Sequence, residues 1–356
     1  MAGVIEVIGV VSGLLGILQF GIDNFVEEPG DGSTFKIAVG LDGTKGLREA
    51  GGHLPDVRVW NQNGEFVGME ADPGKVKSGN LGEIHVDHDN QGVYTLFSAN
   101  NDAICIAWVT TSWSEDRGGN HYAVQGDMGY YCGATWYYSG MYYNSQEDHG
   151  RKEPENQPKC FWIDKDGDHD TTGFQVRWPA FSTGELDPDA PAEERDPRKK
   201  CDNISFGIRK EKDPRSIRYW TNNKKRALPG TPERPRHRHR RRDTAMASQL
   251  IIGDAEGLSA HFLCESETSV GPDLVNLKEG LFCDMDEKQL YPLCSPSVQT
   301  SCFDFDSRTM KAAMSVSNMT VSSFHASKVE KTYETTLDWR TNKESTGVYL
   351  DADGGV

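Results

Sequence analysis

Apolar positions recur along this chain with two different periods. On a helical wheel of about 100° per residue, Val4, Val7, Val11, Leu14, Leu15, Leu18, Ile22 and Phe25 share one side, with Gly9, Gly13 and Gly16 opposite and Glu6 beside them. That stripe predicts an amphipathic helix over residues 1–27. From Ser33 the period shortens. The stretches "STFKIAVGLDG", "DVRVWNQNGEFVG", "GEIHVDHDNQG", "VYTLFSANNDAICIAWVTTSW" and "GFQVRWPAF" read as short strands divided by turn residues. Asn63-Gly64 between "VRVW" and "EFVG" marks a hairpin. Strands at this spacing, with no long helices between them, predict a mainly β fold: an antiparallel β-sandwich over 33–183. Periodicity then stops. "STGELDPDAPAEERDPRKKC" and "NNKKRALPGTPERPRHRHRRRDTAMASQ" are rich in Pro and charge, so 184–248 is expected to be a flexible linker, with "NISFGIRK" as a short ordered piece. A smaller α+β domain is expected over 249–340, with helices over Leu258–Glu265 and Ser307–Ser315, and a frayed tail over 341–356.

The cysteines sharpen this division. Cys105, Cys132, Cys160 and Cys201 precede the basic end of the linker; Cys264, Cys283, Cys294 and Cys302 follow it. Each half can therefore pair internally, with the connectivity left open. Disulfides imply an oxidising compartment, and unpaired cytosolic thiols are the competing reading. No CxxC or zinc-type spacing occurs.

Charge is just as uneven. Between Arg195 and Arg242 there are 18 basic and five acidic residues, so the rest of the chain stands at −29 against a total of −16. An acidic body argues against nucleic acid as the partner. The strip reads best as a substrate for a dibasic-specific processing protease, which needs an extended chain and pairs acidic subsites with successive bases. Lys224-Lys225-Arg226 and Arg240-Arg241-Arg242 are the two candidate cleavage sites. Binding to anionic lipid, a nuclear-localisation or nucleic-acid arm and a merely solvated loop compete with it. Two sequons, at Asn203 and Asn318, agree with a secretory route. The amino terminus does not look like a standard signal peptide, since it lacks a basic start and an A-x-A site. A cytoplasmic or membrane-associated location is the alternative. The stripe of Val4, Val7, Val11, Leu14, Leu15 and Leu18 can dock on the protein's own core, contact membrane lipid or act as an atypical signal. Gly9-x-x-x-Gly13 would let two such helices approach, which admits a homo-oligomer.

Candidate chemistry is sparse. Residues 121–143 hold seven of the twelve tyrosines. Trp136, Tyr137, Tyr138, Tyr142 and Tyr143 are candidates for stacking on glycan or lining a protein interface, against a reading as core. Alternation places Glu83, His85 and Asp87 on one strand face, a weak metal-site pattern. Asp164, Asp166, Asp168 and Asp170 in "DKDGDHD" offer oxygens to Ca²⁺, although the glycine and final glutamate of an EF-hand are misplaced. No other cofactor is expected. HExxH, GxSxG, strand-linked GxGxxG and P-loop motifs are absent, so the reading leans away from an enzyme.

The stretches "VYTLFSANNDAICIAWVTT", "CGATWYYS", "CFWIDKDGDHDTTGFQVRWPAF" and "SVGPDLVNLKEGLFCDMDEKQLYPLCS" resemble a family of filamentous-fungal (ascomycete) proteins with no assigned activity. In that family a β-rich N-terminal block, a dibasic linker and a Cys-containing C-terminal block follow one another. The resemblance implies a fungal origin and this layout, and it transfers no catalytic residue. The combined expectation is a secreted or surface-acting protein, processed at the strip and membrane-active, toxin-like or effector-like. A glycan- or protein-binding module is the alternative, and a metal-dependent hydrolase the second.

Overall fold

A computed structural model describes residues 31–40, 50–140, 142–143, 158–165, 169–182, 196–220, 244–255, 257–311, 331–340 and 349–350. The chain divides into two units, Met1–Arg240 with Thr346–Val356, and Arg241–Ser345. The mainly β expectation holds.

The first unit contains β1 (Ser33–Val39), β2 (Gly52–His53), β3 (Asp56–Trp60), β4 (Phe66–Glu70), β5 (Lys75–Val76), β6 (Leu81–Val86) and β7 (Tyr94–Ser98). It continues with β8 (Ile104–Trp113), β9 (His121–Gln125), helix α1 (Asp127–Tyr131), β10 (Trp136–Tyr138), β11 (Tyr142–Tyr143), β12 (Lys159–Ile163), β13 (Gly173–Arg177) and β14 (Phe206–Arg209). One antiparallel sheet runs β10-β12-β8-β1-β6, with β9 also on β8; a second runs β14-β13-β7-β3-β4. Rings from the two sheets meet between them. Phe35 of β1 lies edge-on to Phe97 of β7 at 5.7 Å, and Phe161 of β12 edge-on to Phe174 of β13 at 5.0 Å. Phe97 stacks on Phe174 at 4.6 Å, and Trp178 closes the cluster with its indole N–H donating to Thr95 Oγ1. Each such ring buries a large apolar area, so this layer is the unit's core.

The hairpin at Asn63-Gly64 joins β3 to β4. Asn61 Oδ1 accepts from the amides of Asn63 and Glu65, and Gly64 takes φ +78°, a value that favours glycine. Where β9 leads into α1 the backbones come close. A Cβ at Gly126 would lie 2.2 Å from the Lys159 carbonyl oxygen and 2.6 Å from that of Ile106. Neither backbone atom can yield, so Gly126→Ala is expected to lower stability by about 2–3 kcal/mol. A shift in urea midpoint would show it; an unchanged midpoint would mean that α1 relaxes freely.

Cys105–Cys160 joins β8 to β12, and Cys132–Cys201 ties the end of α1 to the turn Pro197–Lys200. Much of the expected linker is therefore folded. Residues 196–220 belong to the first unit, and β14 pairs with β13. Their charge hides this, because the segment contributes hydrogen bonds more than apolar area.

The second unit contains α2 (Thr244–Ala247), β15 (Gln249–Gly253), α3 (Ala260–Glu265), β16 (Asp273–Asn276), β17 (Leu281–Asp284), β18 (Gln289–Pro292), β19 (Cys302–Asp304), β20 (Thr309–Lys311) and β21 (Thr335–Asp338). Its sheet runs β18-β17-β16-β15-β21, parallel where β15 meets β16 and β21. The expected helix over Leu258–Glu265 is present as α3, capped where Ser259 Oγ accepts from the Phe262 amide. Leu250, Ile252, Val275, Phe282 and Phe303 form the core, with Phe282 and Phe303 stacked at 4.1 Å. Cys264–Cys283 links α3 to β17, and Cys294–Cys302 closes a short loop.

The helix expected over Ser307–Ser315 is overturned, since Thr309–Lys311 is strand β20. The reason is a repeat. "FCDMDEKQL" and "CFDFDSRTM" both fold as hairpins. Asp284 Oδ1 accepts from the amides of Asp286 and Glu287; Asp304 Oδ1 accepts from those of Asp306 and Ser307. Lys288 and Arg308 take φ +51° and +55° at the matching positions. The hydrogen bond from Lys311, with that from the Ser307 amide, holds the Asp304 carboxyl down to about 2. The tail expected to fray contains β22 (Tyr349–Leu350), which pairs in parallel with β11.

Candidate functional site

Buried polar groups decide what the second sheet can present. Arg58, Leu96, Ser98 and Gln175 alternate away from the ring core, and Arg58, Ser98 and Gln175 are buried there. Such groups need partners. The segment 214–220 supplies them as a strap. Ser98 Oγ donates to the Pro214 carbonyl at 2.7 Å, and Arg58 Nη1 donates to Ser98 Oγ at 2.9 Å. Gln175 donates to the Arg218 carbonyl at 2.6 Å and accepts from the Arg218 amide at 2.8 Å. Arg209 donates to Gln175 Oε1 and to the Ser216 carbonyl. Burial pulls the Arg209 guanidinium below its usual range, opposed by Glu211.

The strap ends on the β3–β4 hairpin. A Cβ at Gly64 would lie 2.5 Å from the Tyr219 ring, and the Trp220 amide donates to the Tyr94 hydroxyl at 3.4 Å. Here large apolar side chains face water: Phe66 is 55% exposed, Trp220 48%, Met69 41% and Tyr219 39%. Phe66 packs edge-on against Trp60 at 5.6 Å. Four residues past Trp220 the chain enters Lys224-Lys225-Arg226. Exposed apolar side chains from the hairpin and from the strap that ends on it make this the candidate contact surface. The signal for them was present in "SIRYWTNNKKR", where two aromatic residues stand in a charged stretch without apolar periodicity.

The aromatic residues singled out from the sequence lie elsewhere. Trp136, Tyr137 and Tyr138 are buried, at most 2% exposed, and cannot present themselves to a glycan. The rings instead pack together and help hold a cation. Lys159 Nζ lies 4.8 Å from the Tyr130 ring centre and 5.5 Å from that of Trp136, and 3.2 Å from Asp127. Tyr142 and Tyr143 form β11, and their side chains lie outside the described set.

Glu83 and His85 share a side of β6, with Asp87 just past its end, but the three do not converge. Glu83 pairs with Lys36 at 3.5 Å, while His85 bridges Thr34 Oγ1 and Asp87 Oδ1. Asp164 is buried and Asp170 exposed at φ +51°, with Asp166 and Asp168 outside the described residues. Among the described residues no three His, Cys, Asp or Glu side chains gather to hold a metal ion. Asn203 is half-buried at φ +65°, and its sequon partner Ser205 donates to Asp202 Oδ2 at 3.0 Å. Asn318, the candidate cleavage sites Lys224, Lys225, Arg226, Arg240, Arg241 and Arg242, and the stripe from Val4 to Leu18 lie outside the described residues.

All eight cysteines form disulfides within their own half. Four such bonds are consistent with an extracellular protein. Among the described residues no helix is long and apolar enough to cross a membrane. No protein-family model matches the chain, and no curated protein matches it significantly.

Proposed function

We propose that this is a secreted protein, cut at its basic strip, that acts at anionic membrane surfaces through the hairpin patch of Phe66, Met69, Tyr219 and Trp220. The observation that carries the reading is the position of Tyr219 and Trp220. Both are exposed and lead directly into the strip. Aromatic rings settle at the level of lipid headgroups. Each base near an anionic surface adds ~1 kcal/mol. The remainder of the chain, at −29, is repelled by the same surface, so contact is directional.

Binding of the full chain to vesicles of neutral lipid with and without phosphatidylserine tests this. Trp220→Ser combined with Phe66→Ser is expected to weaken binding about 10-fold or more while leaving the urea midpoint nearly unchanged, because both rings are already wet. Equal binding by the variant sinks the membrane reading. A glycan-binding module is the second reading, since the same rings suit sugar stacking; a glycan-array signal lost in that variant would favour it.

The processing step has its own test. No disulfide spans the strip. After cleavage at Arg242 the protein should run as two chains on a denaturing gel without reductant. A single band that splits only on reduction would refute this pairing.

A further inference from the structure

Among the described residues, buried cations have close carboxylate partners, with one exception. Lys159 lies 3.2 Å from Asp127, Lys331 2.8 Å from Asp273, Arg58 3.3 Å from Asp56 and Lys36 3.5 Å from Glu83. Arg209, whose side chain is 5% exposed, has Glu211 at 4.0 Å, and that carboxylate is itself 55% exposed. Burial outweighs Glu211 and pulls the Arg209 guanidinium down, whereas the carboxylates around Lys331 prevail over its burial. A buried cation left short of negative charge is costly.

Two more guanidiniums stand beside it, because the strap follows β13. Arg209 donates to the Ser216 carbonyl at 3.4 Å, and Gln175 Oε1 accepts from both Arg209 and the Arg218 amide. The Trp220 amide donates to the hydroxyl of Tyr94, the strand partner of Arg177. Gln175 and Arg177 stand two residues apart on one face of β13, a rise of about 7 Å. Arg218 is near enough to Arg209 for the two charges to repel. Arg177 and Arg218 are half-buried, and among the described residues neither has a carboxylate partner. Their neighbours Arg58 and Arg215 are held by Asp56 and Asp213. The Nε atoms of Arg177 and Arg209 are buried without an acceptor, a state that folded proteins rarely leave unmet.

We infer that Arg177, Arg209 and Arg218 form a site for a phosphomonoester, with Arg177 and Arg218 meeting its oxygens and buried Arg209 adding charge behind them. The charges match. Three guanidiniums against Glu211 leave two positive charges, and a phosphomonoester carries about −1.5 to −2 at neutral pH. The planar fork of a guanidinium pairs with phosphate oxygens two at a time. The group can come from a lipid headgroup or from a soluble phosphate. Only the lipid source rests on the membrane reading; there Tyr219 and Trp220 would settle at the level of the same headgroup.

Calorimetric titration of the full chain with inorganic phosphate, against chloride at matched ionic strength, tests the site itself. Saturable binding is expected, weakened at least 10-fold in the double variant Arg177→Gln with Arg218→Gln. Arg215→Gln, on the same strap but paired with Asp213, should bind as the parent does. The urea midpoint without phosphate should be the same in all three proteins, which separates lost binding from lost folding. No response beyond chloride, or an equal response in the double variant, overturns the inference. Vesicles of neutral lipid with phosphatidic acid or with phosphatidylserine then identify the source. A preference of at least 10-fold for phosphatidic acid, lost in the double variant, assigns the site to a headgroup. Phosphate binding without that preference assigns it to a soluble phosphomonoester. Phosphate binding with no vesicle binding at all would sink the membrane reading and leave the site standing.

Discussion

Lys331→Met is expected to destabilise the second unit by about 3–5 kcal/mol. Lys331 Nζ lies 2.8 Å from Asp273 Oδ2 and 3.4 Å from Asp286 Oδ2, and it also bonds Asp284. The side chains of Asp273 and Asp284 are 0% and 4% exposed. Methionine keeps the apolar stem and removes the cation, which strands two buried carboxylates. The Tyr333 hydroxyl bonded to Asp273 at 2.7 Å compensates only in part. Burial pulls the Lys331 amine down, but Asp273 and Asp284 outweigh it and hold the amine above its ordinary value. A folded-state value raised in this way gives stability that is complete below the unfolded value of about 10.4. That stability is lost as pH climbs through the folded value. The gap in urea midpoint between the two proteins should therefore stay constant from neutrality to about pH 10 and narrow above it. A gap below 1 kcal/mol at neutral pH, or one indifferent to alkali, would mean that packing rather than charge holds this segment.

The second large effect is expected from Cys105→Ala with Cys160→Ala. The bridge spans 55 residues, against eight for Cys294–Cys302. In the chain-entropy account the longer loop is worth about 4 kcal/mol and the shorter about 2.5 kcal/mol. Both Cys105 and Cys160 are buried, so alanine also leaves a small void beside Trp162 and Gly40. Thermal unfolding of each pair of replacements, made separately, ranks them. If the short loop proves the costlier to open, loop entropy is not what these bonds contribute.

The sequence made some of this legible. Strands β1, β3, β4 and β6 announce themselves by alternation and by Asn63-Gly64, because one face of each carries the core. Helix α3 is announced by Ser259 ahead of an apolar pattern. The split of the cysteines into fours marks where no covalent bond crosses. What stayed hidden did so for physical reasons. The strap 214–220 is fixed by carbonyl and amide contacts to Arg58, Ser98, Gln175 and Arg209, which leave no hydrophobic period. Tyr137 and Tyr138 look like a binding face because tyrosine density does not reveal depth. The hairpin at Asp304 reads as helix on its own, although its Asp-x-Asp copy stands twenty residues earlier, at Asp284, in a hairpin of the same form. The aromatic patch was the hardest to see, since Phe66 comes from a regular strand and Tyr219 and Trp220 from a stretch that resembles linker.

Strand β22 has a consequence for what the proposed cut in the strip would accomplish. The last residues of the chain, Thr346–Val356, belong to the first unit, although the bulk of the C-terminal piece forms the second. A nick at Arg242, if it occurs as proposed, would thus turn an intramolecular attachment into a bimolecular one, with the two-residue ladder of β22 and β11 on the tail's side of it. Before the nick the peptide connection keeps the effective concentration of the tail high; afterwards it falls to that of the protein itself. Separation would then be governed by dilution, so the same cut molecule stays paired where it is crowded and comes apart where it is scarce.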